Sequence, residues 1–183
     1  MQRWLRAARV IDGLNEWIGR LTAWSILFMV LLGAYNACAR HLGRSLGVTL
    51  SSNAYIELQW YLFSLVFLLG AAYTLAHNAH VRVDVFYGRV SPRGRAWINL
   101  CGTVLFLIPF AFLMLWLAWP AVVDSWAVRE VSPDPGGLPR YPLKTALLAA
   151  FALLLLQGLA ETIKNVAILR GALQETPEER EAV

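Results

Sequence analysis

The chain has 183 residues, of which 58% are hydrophobic and 15% charged, and its mean hydropathy is +0.52. Soluble domains run nearer about 45–50% apolar and about 25% charged. The apolar excess here is collected in long blocks, which excludes an ordinary soluble core and predicts an all-α, polytopic membrane protein with four transmembrane helices. The net charge of +4 is not gathered on one basic helix with stacking aromatics, which argues against a nucleic-acid partner.

Crossing the hydrocarbon core takes about 20 apolar residues, and four windows qualify in chain order. The first, 17–38, carries a single charge, Arg20, near its start. The second, 54–77, opens with Glu57 and Gln59 and then runs free of charge. The third, 97–119, has no charge at all, and Pro109 near its middle predicts a kink. The fourth, 143–165, carries Lys144 at its start and Glu161 and Lys164 toward its end. The tryptophans sit mostly near the ends of these blocks, as expected of indoles in the headgroup region. Residues 1–170 read as one four-helix membrane domain, followed by a polar tail over 171–183.

Orientation follows from Lys and Arg in the short flanks. With the N-terminus inside, 11 basic residues fall on the inner side and 5 on the outer side, so both termini are expected in the cytoplasm. A signal peptide is the competing reading of the first block, because Ala37-Cys38-Ala39 mimics a cleavage site. Its polar leader and apolar core are both too long for that, and 17–38 is read as a retained helix. Cys38 and Cys101 then belong to opposite ends of the membrane, beyond the roughly 7 Å that a disulfide tolerates.

Ionisable groups near the spans are the candidates for chemistry. His77, His80 and Asp84 fall at helical spacing and are conceivable metal ligands, but three residues with nothing else nearby are weak support for a metal. A haem held as in a cytochrome b-like redox subunit fails on geometry. His41 ends the first span and the other two histidines end the second at the opposite face, about 30 Å away. Residues 81–85 alternate like a strand, yet an open strand edge has no place in hydrocarbon. An interfacial helical turn suits them better, with His80 and Asp84 paired at i, i+4 and Arg82 at lipid phosphates. Glu57 is expected to pair with Arg40 or Arg44, and Glu161 with Lys164. No charge lies at mid-span and no inverted repeat is present, so the chain alone is not expected to translocate a solute, and no cofactor is implied.

Surface for partners remains. Gly70, Ala71, Ala72 and Ala76 on the second span, and Gly33, Ala34 and Ala37 on the first, allow close helix approach, within the chain or with a neighbour. The outer connection 120–142 holds five of the eight prolines, too many for a floppy linker, and is expected to present Asp124, Arg129, Glu130, Asp134 and Arg140 outward.

These residues in order resemble the small membrane subunit of tripartite ATP-independent periplasmic (TRAP) transporters, the DctQ type. The resemblance rests on Asn36 and Arg40 after the first span, Glu57 opening the second, Phe67-Leu68-Leu69-Gly70-Ala71-Ala72, and His80-Val81-Arg82-Val83-Asp84, and covers about residues 15–170. It implies a non-enzymatic subunit of the bacterial inner membrane. That subunit would brace a large DctM-type permease and help dock a periplasmic DctP-type binding protein, for sodium-coupled uptake of organic acids. The stretch from Glu130 to Lys144 looks most like the branch associated with 2-oxo acids, mannitol or chloroaromatic compounds. An unrelated tetraspan scaffold is the other alternative.

Overall fold

The structure, a computed structural model, describes residues 1–79 and 90–173. Four helices are long and apolar enough to cross a membrane: α1 Gln2–Leu46, α2 Asn53–Ala76, α3 Pro92–Ala127 and α4 Tyr141–Leu169. The chain is all-helical and multi-pass. Three of the helices run past the spans expected from hydropathy, and α2 matches its span to within one residue at each end. The largest difference is at the start of α1, where a segment that reads as a polar leader continues the same helix back to Gln2. Its 45 residues correspond to about 68 Å at 1.5 Å per residue.

Helix ends follow backbone chemistry. All four finish with a residue in the left-handed region, Gly47, Asn78, Arg129 and Gly171, and with an N–H bonded back to the carbonyl five residues earlier. These bonds are Val48 to Gly43, Ala79 to Thr74, Glu130 to Ser125 and Ala172 to Ala167. This arrangement satisfies terminal carbonyls that would otherwise be orphaned. At the start of α3, Ser91 caps by accepting from the Gly94 N–H, with Pro92 at the first helical position.

α3 is interrupted. A π-helical turn spans Thr103–Leu107, with the Ile108 N–H donating to the Thr103 carbonyl. Pro109 lacks an N–H, and its ring crowds the carbonyl four residues back. The widened turn just before it is where the helix absorbs that defect. Pro120, by contrast, lies inside the following helical stretch. The connection after α3 is therefore shorter than its prolines suggest, and Asp124 sits on α3 rather than in a loop.

Packing is by small side chains. Among the described residues, nine of the eleven buried hydrophobic ones are alanines, including Ala8, Ala72, Ala111, Ala160 and Ala167. The largest apolar side chains, such as Trp24, Phe67, Phe106 and Trp116, are exposed. Hydrocarbon solvates Leu and Phe as well as a protein core does, so close backbone approach drives association instead. α4 is the most enclosed helix, with 39% of its most apolar window buried against 6–11% in the other three.

By internal contacts the chain resolves into two compact units. The terminal unit comprises Met1–Trp17, Ala71–Leu115 and Phe151–Val183, and the hairpin unit comprises Ile18–Gly70 and Trp116–Ala150.

Candidate functional site

In the hairpin unit, the connection after α3 folds back on itself. Val131 and Pro139 form an antiparallel bridge, supported by Ser132 N–H to Leu138 O at 3.0 Å and Arg140 N–H to Glu130 O at 2.8 Å. The turn at its tip is Asp134-Pro135-Gly136-Gly137. Gly137 N–H donates to Asp134 O at 2.9 Å, and Gly136 has φ +70°. Proline at the second place and a left-handed glycine at the third define a type II turn.

Glu57 fastens this hairpin to α2. Its carboxylate, 2% exposed, accepts from the Ser132 hydroxyl and from the Leu138 N–H at 2.6 Å. The Tyr61 hydroxyl, one turn further along α2, donates to the Leu138 carbonyl at 3.3 Å. Arg140 supplies positive charge beside Glu57. The pairing of Glu57 with Arg40 or Arg44 expected from sequence is therefore corrected. Both arginines are exposed, and the carboxylate is engaged by loop donors from a segment 75 or more residues away.

A second fastening lies at the hairpin base. Glu130 accepts from the Ser125 hydroxyl at 2.7 Å and from the Lys144 ammonium. Those two hydrogen bonds, with Lys144 and Arg140 charge behind them, hold the Glu130 carboxyl below the ordinary carboxylate range. Trp126 Nε1 donates to Thr145 at 2.8 Å and its ring meets Tyr141, which ties the end of α3 to the start of α4. Of the charges expected to face outward, Asp124, Arg129 and Asp134 are exposed, while Glu130 and Arg140 are half-buried.

The other sequence candidates divide. Asn36 is buried at 5% exposure, with its Oδ1 unpartnered among the described residues. At Gly33 an added Cβ would lie 3.0 Å from Gln59 Oε1, a close approach of the kind expected, whereas at Gly70 it would meet nothing within 4 Å. His80, Arg82 and Asp84 lie outside the described residues. His77, just before them, has its Nε2 3.1 Å from Glu16 and its ring against Tyr73.

The terminal unit holds a polar network that the sequence reading only half anticipated. Lys164 Nζ is 2.6 Å from Glu161, the expected pair, and 3.2 Å from Asp12. Gln157, fully buried, accepts from Asn15 at 2.7 Å and donates to Asp12 at 2.8 Å and to Glu161 at 2.9 Å. Asp12 and Asn15 escaped notice because residues 1–16 read as a leader, and Gln157 because it is an uncharged residue inside an apolar span. The available signal was a polar pair at i, i+3 before the first span and another at i, i+4 within the last. Gly158, next to Gln157, lets α4 approach the π-helical turn, since an added Cβ would lie 3.1 Å from Leu107.

These features are fastened helices and a shaped hairpin between α3 and α4. Compared with curated proteins and with solved structures, the chain matches none. The family model for tripartite ATP-independent periplasmic transporters, DctQ component, matches residues 29–167. That segment contains the Glu57 fastening, the whole hairpin and most of α4, and covers well over half of the chain. The chain accordingly belongs to the DctQ family, as a small membrane subunit of a TRAP transporter.

Proposed function

We propose that this subunit braces a large permease in the bacterial inner membrane and presents the hairpin to a periplasmic substrate-binding protein, in sodium-coupled uptake of organic acids. The observation that carries the reading is the Glu57 fastening. A buried carboxylate engaged by two loop donors makes the connection after α3 a fixed surface, and a fixed surface binds a partner without a large ordering cost. Asp124, Arg129 and Asp134 are the charges left exposed for it, and they would steer and orient the encounter. The basic flanks support the topology in which the hairpin is periplasmic. Membership in a transporter family, which is not an enzyme family, leaves the redox and unrelated-scaffold alternatives without support.

His80, Arg82 and Asp84, with Asn36, Arg40 and Gly70, are the candidates for contact with the large subunit. Replacing Arg82 or Asp84 is expected to lower co-purification of that subunit.

The docking role is tested by uptake in proteoliposomes containing the complete transporter, titrated with its binding protein. Reversing Asp124 and Asp134 together should raise the binding-protein concentration for half-maximal uptake about three- to tenfold, with the maximal rate kept. An unchanged titration in this variant and in Arg129→Glu would remove the hairpin from docking.

A further inference from the structure

The Glu57 fastening decides which way the hairpin faces. Successive residues of an extended arm point to opposite sides. Ser132 is turned in to Glu57 and buried, so Val131 before it and Pro133 after it are turned out, and both are exposed. Val131 is bridged to Pro139. The hydrogen bonds on either side, Ser132 N–H to Leu138 O and Arg140 N–H to Glu130 O, make this the narrow kind of antiparallel pair, whose side chains lie close together on one face. Pro139 is exposed as well. The outward side of the hairpin is thus apolar. It consists of Val131, 54% exposed, with Pro133 and Pro139, and it has Val128, 73% exposed, at its base.

Single exposed apolar side chains are ordinary. This group differs in being contiguous, rigid and flanked by charge. Lipid chains solvate the exposed apolar residues of the spans. Here Arg129 beside Val128 and Asp134 beside Pro133 are both exposed, and charged side chains are costly in hydrocarbon. Each proline ring fixes its φ near −65°, and Glu57 and Tyr61 pin the arms to α2, so little chain freedom is lost when the face is covered. Rigid proline-bearing surfaces are recognised by aromatic-lined grooves. With the hairpin periplasmic, as the basic flanks support, the partner free to reach this face is the soluble component of a tripartite periplasmic transporter.

We propose that this apolar face, rather than the charges around it, is what retains the periplasmic binding protein, and that it seats in an aromatic-lined apolar recess on that protein. On the docking reading above, on which this rests, the labour is divided. Asp124, Arg129 and Asp134 set how fast the two proteins meet, since charge acts over a Debye length of about 8 Å at physiological ionic strength. Val131, Pro133 and Pro139 set how long they stay together, since apolar burial acts only at contact.

The test uses the complete transporter in nanodiscs, with its binding protein applied in solution and association and dissociation recorded separately. Val131→Ser with Pro133→Ala should raise the dissociation rate about tenfold and change association less than about twofold. Reversing Asp124 and Asp134 together should slow association and leave dissociation alone. Val131→Ile, which keeps the face apolar, should dissociate as the unaltered protein does. Each variant should be nicked by protease in the hairpin no faster than the unaltered protein, which shows the Glu57 fastening intact, and the crosslink that follows decides where one is not. A photoreactive benzoylphenylalanine in place of Val131 should join the binding protein at or beside an aromatic residue. If the charge reversals slow association while the Val131 and Pro133 changes leave dissociation untouched, the anchoring role falls and docking by the hairpin stands. If neither set has an effect, both fall. A crosslink to lipid, to the large subunit or far from any aromatic residue would also overturn the assignment.

Discussion

The hairpin unit and the terminal unit both keep carboxylates in apolar surroundings, and they satisfy them by opposite means. Glu57 is held by a loop: one hydroxyl and one backbone N–H, both placed by the type II turn and the Val131–Pro139 bridge. Asp12 and Glu161 are held by side chains on two continuous helices, with Gln157 and Lys164 shared between them. The first arrangement is correct only while the loop keeps its shape, so it reports and enforces the hairpin conformation. The second is redundant, because each carboxylate keeps a partner when one bond is lost. A surface meant to receive another protein benefits from the first kind. A helix pairing that must merely persist benefits from the second.

Breaking the redundant side at its shared member should give the largest stability loss. Gln157→Leu removes three hydrogen bonds at once and strands Asn15. Two of the three join different helices, and interhelical hydrogen bonds in membrane proteins average about 0.6 kcal/mol and reach about 1.7, so the expected loss is about 1–3 kcal/mol. Urea or dodecyl sulfate titration measures it. Asn15→Leu, which removes one bond, should cost less than half as much.

On the other side, Glu57→Gln should leave global unfolding nearly unchanged and open the hairpin. Loss of a charged acceptor serving two loop donors is expected to raise the rate of proteolytic nicking between Arg129 and Arg140 about tenfold. If nicking and global unfolding shift together, the hairpin has no conformational independence and the contrast fails.

Acid sharpens the same contrast. The Glu130 carboxyl is held below the ordinary carboxylate range by Lys144 and Ser125. The unfolded chain therefore takes up the proton first as pH falls. The contribution of Glu130 is fully present above the ordinary range and is lost as pH descends through the lowered folded value. Hairpin protection against a protease active at both ends of the range should fall as pH descends through and below the ordinary carboxylate range, and Glu130→Gln should flatten that dependence.

The smallest effect is expected at the turn. Gly136→Ala places a Cβ on a residue with φ +70°, at about 1 kcal/mol. Hydrogen exchange at the Ser132 and Arg140 amides, which join the two arms of the hairpin, checks it.

The physical reason for what was legible lies in the range of each interaction. Apolar blocks longer than a membrane core were readable as four spans, and Glu161 with Lys164 as a pair, because hydropathy and i, i+3 spacing are local. The extension of α1 to Gln2 was not readable. Arg3, Arg6, Arg9 and Asp12 look like a leader until Asp12 and Asn15 meet Lys164 and Gln157, some 140–150 residues away. Pro120 looked like the start of a loop because an isolated helix breaks at proline, yet α3 continues through it to Ala127.

By itself the sequence determined that this is a four-span membrane protein of the DctQ kind, since hydropathy, basic flanks and ordered motifs are properties of the linear chain. Only the tertiary structure decided which donors Glu57 receives, that Gln157 ties the first helix to the last, and that Asp12 shares Lys164 with Glu161. Each of these depends on residues brought together from distant turns of the chain, where the cost of an unsatisfied polar group in an apolar medium selects the partner.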